Sequence, residues 1–108
     1  MNYKVKTIPH FDKEIKRLTK KYRSLKQEFI ALVQSLKENP EMGTPLGNDC
    51  YKIRLAIASK NKGKSGGARV VTYVYAYQTT VYLLTIFDKS DRENISDKEL
   101  ETLLRYIP

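Results

Sequence analysis

The chain has 108 residues and one cysteine, and its 20 Lys and Arg against 12 Asp and Glu give a formal net charge of +8. That length suits a single domain, residues 1–108, burying about two thirds of the surface of its unfolded form, so no disulfide, metal or cofactor is needed to hold it. No apolar run reaches a membrane span and the amino terminus lacks the apolar core of a signal peptide, which points to a soluble, cytoplasmic protein.

A field of this sign on so small a body attracts polyanions. The acids gather between Glu38 and Asp49 and after Asp88, while the bases crowd the first helices and the segment from Lys52 to Arg69. A nucleic acid or an acidic protein is therefore the expected partner.

Tyr3 to Ile8 alternates Tyr3, Val5 and Thr7 with Lys4, Lys6 and Ile8, a half-buried strand that stops at Pro9. Phe11, Ile15, Leu18 and Tyr22 then recur at helical spacing. Ser24 is placed to cap a second helix, whose stripe of Leu25, Phe29, Leu32, Val33 and Leu36 ends before Pro40. So short a connection predicts an antiparallel helical hairpin with both stripes turned to one face of a sheet.

The Pro- and Gly-rich stretch Asn39 to Asp49 reads as a loop. Tyr51, Ile53, Leu55 and Ile57 then alternate with Lys52, Arg54, Ala56 and Ala58, setting Lys52 and Arg54 on the face away from the apolar set. From Ser59 to Gly67 the chain carries Lys60, Lys62 and Lys64 without the spacing of a nucleotide-phosphate loop, and reads as a mobile basic finger for RNA.

Ala68 to Asp88 is the centre of the fold, a β-hairpin broken at Gln78 and Thr79. Its first half sets Arg69 on one face with Val71, Tyr73, Tyr75 and Tyr77, and Val70, Thr72, Val74 and Ala76 on a drier face suited to helix packing. Its second half points Val81, Leu83, Thr85 and Phe87 one way and Tyr82, Leu84 and Ile86 the other. A strand apolar on both faces is central. Ser96 and Glu99 form a capping box for a last helix with a stripe of Leu100, Leu103, Leu104 and Ile107. The order β-α-α-β-β-β-α predicts an α+β fold, an antiparallel curved sheet with an N-terminal helical hairpin packed on one face.

The usual catalytic sets are missing. His10, the one histidine, reads as a turn residue, and there is no metal-ligand spacing and no Ser/His/Asp set. What remains is Lys52, Arg54, Arg69, Lys89 and Arg92, with tyrosines beside them. Such a set suits cleavage of RNA by its own 2′-hydroxyl, because fixed cations stabilise the charge that builds on the phosphoryl and leaving oxygens. Arginine stays protonated and cannot be the base, so Lys52, crowded by like charges, is the candidate. Tyr73 and Tyr75 either stack on unpaired bases or pack across strands.

Asp49-Cys50-Tyr51-Lys52-Ile53-Arg54-Leu55, Gly67-Ala68-Arg69-Val70-Val71 and Leu84-Thr85-Ile86-Phe87-Asp88-Lys89-Ser90, in this order, resemble the RelE/ParE superfamily of bacterial toxin-antitoxin toxins. The segment Lys62 to Arg69 is most similar to its RelE-like and HigB-like branch. The resemblance spans nearly the whole chain. It implies a RelE-like fold and a toxin that enters the ribosome and cleaves mRNA there, an endoribonuclease restrained by a cognate antitoxin. It places the family's two basic residues of the second strand on Lys52 and Arg54, and its phosphate-anchoring arginine on Arg69. The pattern departs afterwards, where Ser90 and Ser96 stand at the positions of a family arginine and tyrosine, leaving Lys89 and Arg92 to substitute by reach. Two other readings stay open, a ParE-like toxin that binds DNA gyrase without cleaving anything and an inactive RNA-binding relative.

Overall fold

The computed structural model of the chain describes residues 2–60 and 66–108. Lys62 and Lys64 of the expected basic finger lie outside them. Among the described residues the elements are β1 (Lys4–Thr7), α1 (Pro9–Lys21), α2 (Leu25–Glu38), β2 (Thr44–Gly47), β3 (Cys50–Leu55), β4 (Ala68–Tyr75), β5 (Thr80–Asp88) and α3 (Asp97–Leu104).

The expected helices and central hairpin form. Pro9 sits in the first turn of α1, where its missing N–H costs nothing. Ser24 flanks α2 without a side-chain capping bond; its hydroxyl instead donates to Glu28 Oε1 (3.0 Å) and meets Ser59 Oγ (2.9 Å), tying the helix to the turn Ala58–Lys60. Half of the expected capping box is present, since Ser96 Oγ accepts from the Glu99 N–H at 3.1 Å. The Glu99 carboxylate turns instead to Arg92.

The five strands lie in the order β1-β5-β4-β3-β2. All nine residues of β5 are buried, as expected of the central strand. Two strand expectations need correction. The sheet is mixed, because β1 runs parallel to β5, a pairing that the long connection through the helices and β2–β4 permits. The stretch Asn39 to Asp49 is not all loop either, for β2 pairs with β3 across a two-residue turn in which Asn48 and Asp49 both have positive φ (54° and 61°). That conformation suits the twist of a tight hairpin, and Pro45 is tolerated because β2 is an edge.

A β-bulge changes the faces of β5. Val71 pairs with Thr85 but Thr72 pairs with Leu83, so Leu84 is an extra residue. Beyond it Thr85 and Phe87 share the face of Arg69, Tyr73 and Tyr82, opposite to Val81 and Leu83, and not the face that strict alternation implied. The α1–α2 hairpin covers one side of the sheet, its helices joined through Phe11 and Phe29 (ring centroids 5.6 Å apart), and Leu18, Leu32 and Leu36 enter the core. Leu100 and Leu103 of α3 join that core, and Leu104 and Ile107 share a crevice with Tyr73 on the other side.

Gly67 controls how β4 begins. A Cβ there would meet the Leu55 carbonyl oxygen at 2.1 Å and the Ile57 nitrogen at 3.0 Å, both backbone atoms that cannot step aside. Gly67→Ala is expected to cost about 2–3 kcal/mol by forcing β3 and β4 apart. Urea denaturation measures this, and an unshifted midpoint would show that the backbone relaxes freely.

Candidate active site

Alternation along β3 turns Lys52 and Arg54 to the same side of the sheet, and the antiparallel register sets Arg54 directly opposite Arg69. Arg69 in turn faces Phe87, two residues before Lys89. Three adjacent strands thus deliver Lys52, Arg54, Arg69 and Lys89 to one crevice of ≈ 170 Å³, completed by Glu93 and Asn94 from the turn after β5. Opposed like charges destabilise a strand pair, and here one of the two arginines is only 4% exposed. Such a pair concentrates positive potential at one point of the sheet.

Three of the four cations have a hydrogen-bond partner among the described residues. The Arg69 guanidinium donates to the Ala68 carbonyl at 3.0 Å. Burial and the neighbouring Arg54 lower its pKa, Glu93 acting in the opposite sense, and an arginine so placed remains cationic at neutral pH. Lys52 Nζ donates to Asn94 Oδ1 (2.5 Å) and Lys89 Nζ to Glu93 Oε1 (2.5 Å). The hydrogen bond and charge of Lys89 hold the Glu93 carboxyl below its ordinary range against desolvation, with Arg69 and Lys52 adding to the effect.

The other expected site residues fall elsewhere. Arg92 is outside the crevice, bidentate to Glu99 (2.7 and 2.9 Å) with its guanidinium 4.4 Å from the centre of the Phe87 ring. Lys60 is no exposed finger residue. Its side chain is 6% exposed, and its ammonium donates to Asp88 Oδ1 (2.6 Å) and Ser90 Oγ (3.1 Å). Nor do the tyrosines line the basic crevice. Tyr73 pairs with Cys50 beyond Lys52, and its ring stacks against Tyr82 (6.5 Å) and leans on Tyr75 (6.0 Å), which stacks against Tyr77 (6.3 Å). His10 belongs to the first turn of α1 rather than a turn between elements, with Nε2 at 3.0 Å from Thr85 Oγ1. Cys50 is inert as a nucleophile, since burial, helped by Asp49, pushes its thiol up to about 11.

A wider concavity of ≈ 740 Å³ at the α1–α2 turn is lined by Lys20, Lys21, Tyr22, Arg23, Ser24, Ala58 and Ser59. Its cations come from one turn of chain, whereas the smaller crevice gathers side chains from three strands. Convergence of that kind is what places charge around a reacting group.

The family model described as the RelE toxin of the RelE / RelB toxin-antitoxin system matches residues 10–107. The chain belongs to the RelE toxin family. Solved structures agree on the RelE fold. A double arginine mutant of E. coli toxin RelE in the free state is 19% identical with a TM-score of 0.66, all of both chains being covered. The toxin in the intact E. coli RelBE toxin-antitoxin complex is 21% identical over 85% of this chain and 99% of that one, with a TM-score of 0.52. The isolated E. coli RelE toxin is 23% identical over 95% and 97% of the two chains, at 0.50.

Sequence reasoning missed Glu93 and Asn94. Both lie in the polar turn after Asp88, where one carboxylate among several gives no signal of its own. Only the fold shows that this one meets Lys89.

Proposed function

We propose that this RelE family member is a ribosome-dependent mRNA endoribonuclease, restrained by a cognate antitoxin. The observation that carries this reading is the opposed pair Arg54 and Arg69 in a crevice flanked by Lys52 and Lys89. In 2′-hydroxyl attack the charge develops on the non-bridging oxygens and on the leaving 5′-oxygen. Arg54 and Arg69 meet the former, and Lys52 reaches outward to the latter. The cations supply this stabilisation themselves, so the reaction does not call for a metal.

The crevice is small, and Tyr73 and Tyr75 stand further along β4, outside its lining. The ribosome, which holds mRNA in a fixed path, is a source of orientation that fits so small a crevice. Primer extension on one mRNA with and without translating ribosomes tests the reading. Cleavage is expected only with ribosomes; intact mRNA together with arrested DNA gyrase would favour the gyrase-binding alternative.

The antitoxin reading rests on family membership and on the charge of +8. An acidic segment that orders on the basic face fits this surface. Affinity is expected to weaken as salt rises, and a dissociation constant unchanged between low and high ionic strength would contradict an electrostatic contact.

A further inference from the structure

We infer that Glu93 is the proton acceptor of this site, taking the proton of the attacking 2′-hydroxyl, with Lys52 as the acid that protonates the leaving oxygen. The inference rests on the endoribonuclease reading and assigns its two proton transfers. Of the six residues lining the crevice, four are cations and Asn94 is an amide, which leaves Glu93 as the single carboxylate. An arginine has no basic lone pair at neutral pH, and Lys52 and Lys89 both direct their Nζ atoms at acceptors, Asn94 Oδ1 and Glu93 Oε1. A carboxylate held ionised by its cations carries an unprotonated oxygen toward the phosphate, and because Lys89 bonds Oε1, Oε2 is left to take the proton.

The strand order sets the two groups on opposite flanks. Lys52 rises from β3 and Lys89, with Glu93 bonded to it, follows β5, while Arg69 stands between them on β4. β3 and β5 lie about 10 Å apart across β4, close to the span of two hydrogen bonds with a phosphoryl group between them. In the step, the 2′-oxygen gives its proton to Glu93 and forms a bond to phosphorus. The bond from phosphorus to the 5′-oxygen breaks, and that oxygen leaves with the electron pair and takes a proton from the Lys52 ammonium. The products are a 2′,3′-cyclic phosphate and a 5′-hydroxyl. Exchange with solvent returns the proton from Glu93 to Lys52.

The test compares wild type with Glu93→Gln in single-turnover cleavage of mRNA on ribosomes, between about pH 6 and 9. Binding to the same ribosomes is measured with a 2′-deoxy substitution at the scissile position. Glu93→Gln is expected to slow cleavage by about 10² or more with binding unchanged or tighter, since a negative charge beside the phosphate is removed. The wild-type rate should be flat over that range, the carboxylate having ionised at lower pH. A wild-type rate that climbs about tenfold per pH unit would instead mark a lysine base and overturn the assignment. So would Glu93→Gln cleaving at the wild-type rate, or losing binding in proportion to cleavage. A wild type that cleaves nothing on the ribosome overturns the endoribonuclease reading itself, an outcome distinct from these.

Discussion

Arg69→Ala is expected to reduce mRNA cleavage on the ribosome by about 10² to 10³, the loss typical when one fixed donor to a developing oxyanion is removed. Arg69→Lys should recover little, because an ammonium cannot reproduce the planar fork of a guanidinium. The side chain is 4% exposed and bonded to the Ala68 carbonyl, so some loss of stability accompanies the change. Thermal denaturation and single-turnover cleavage on the same preparation separate the two effects. Normal cleavage per folded molecule would remove Arg69 from the catalytic set. Arg69 need not act through Asp88, whose carboxylate is held by Lys60, Lys21 and Tyr22.

Lys60→Met is expected to destabilise the fold by about 3–5 kcal/mol, the usual result of leaving one member of a buried ion pair without its partner. Asp88 is fully buried and Lys60 nearly so, and the pair joins four pieces of chain. Tyr22 Oη donates to Asp88 Oδ2 from the end of α1, the Ser90 N–H donates to Oδ1 at 2.9 Å, and Lys60 Nζ also reaches the Gly67 carbonyl at 3.4 Å. The melting temperature should fall by more than about 10 °C. In the double variant with Asp88→Asn much of this should return, since no charge is then left buried alone. An unchanged melting temperature in Lys60→Met would show that Lys21 suffices as counter-ion.

The same pair sets a pH dependence. Burial alone would raise the Asp88 carboxyl, but the hydrogen bonds from Lys60, Tyr22 and Ser90 outweigh it and hold it well below the usual carboxylate range. A folded pKa lower than the unfolded one means that the stabilisation is complete above about pH 4 and is lost as the pH falls toward the folded value. Acid titration of stability should therefore show a decline below about pH 4 that Asp88→Asn lacks.

Much of this protein was legible in its sequence because the signals are local. Helical spacing in Phe11, Ile15, Leu18 and Tyr22 is a property of one turn after another, and so is the two-residue alternation that turned Lys52 and Arg54 outward. The unbroken apolar run of β5 announced its central place, since a strand with polar neighbours on neither face must be covered on both. Other features were decided across the sheet. The bulge at Leu84 arises from the pairing of β4 with β5 and reverses the face of Phe87, which no count along β5 alone reveals. The β2 strand exists because β3 offers it an edge, in spite of Pro45.

The site divides in the same way. That Lys52, Arg54, Arg69 and Lys89 are candidates followed from their types and from the strands that carry them; that they meet in one crevice followed from register. Lys60 and Glu93 were beyond sequence reading for one reason. A lysine in a Gly-rich segment and a glutamate in a polar turn look alike as solvated charges until tertiary structure supplies a partner. For Lys60 the partner is the buried Asp88, 28 positions away, which makes it structural. For Glu93 the nearest partner, Lys89, lies four residues back, but the crevice in which they meet is assembled from three strands. Charge was written in the sequence, and burial and convergence, which decide what a charge does, came only with the fold.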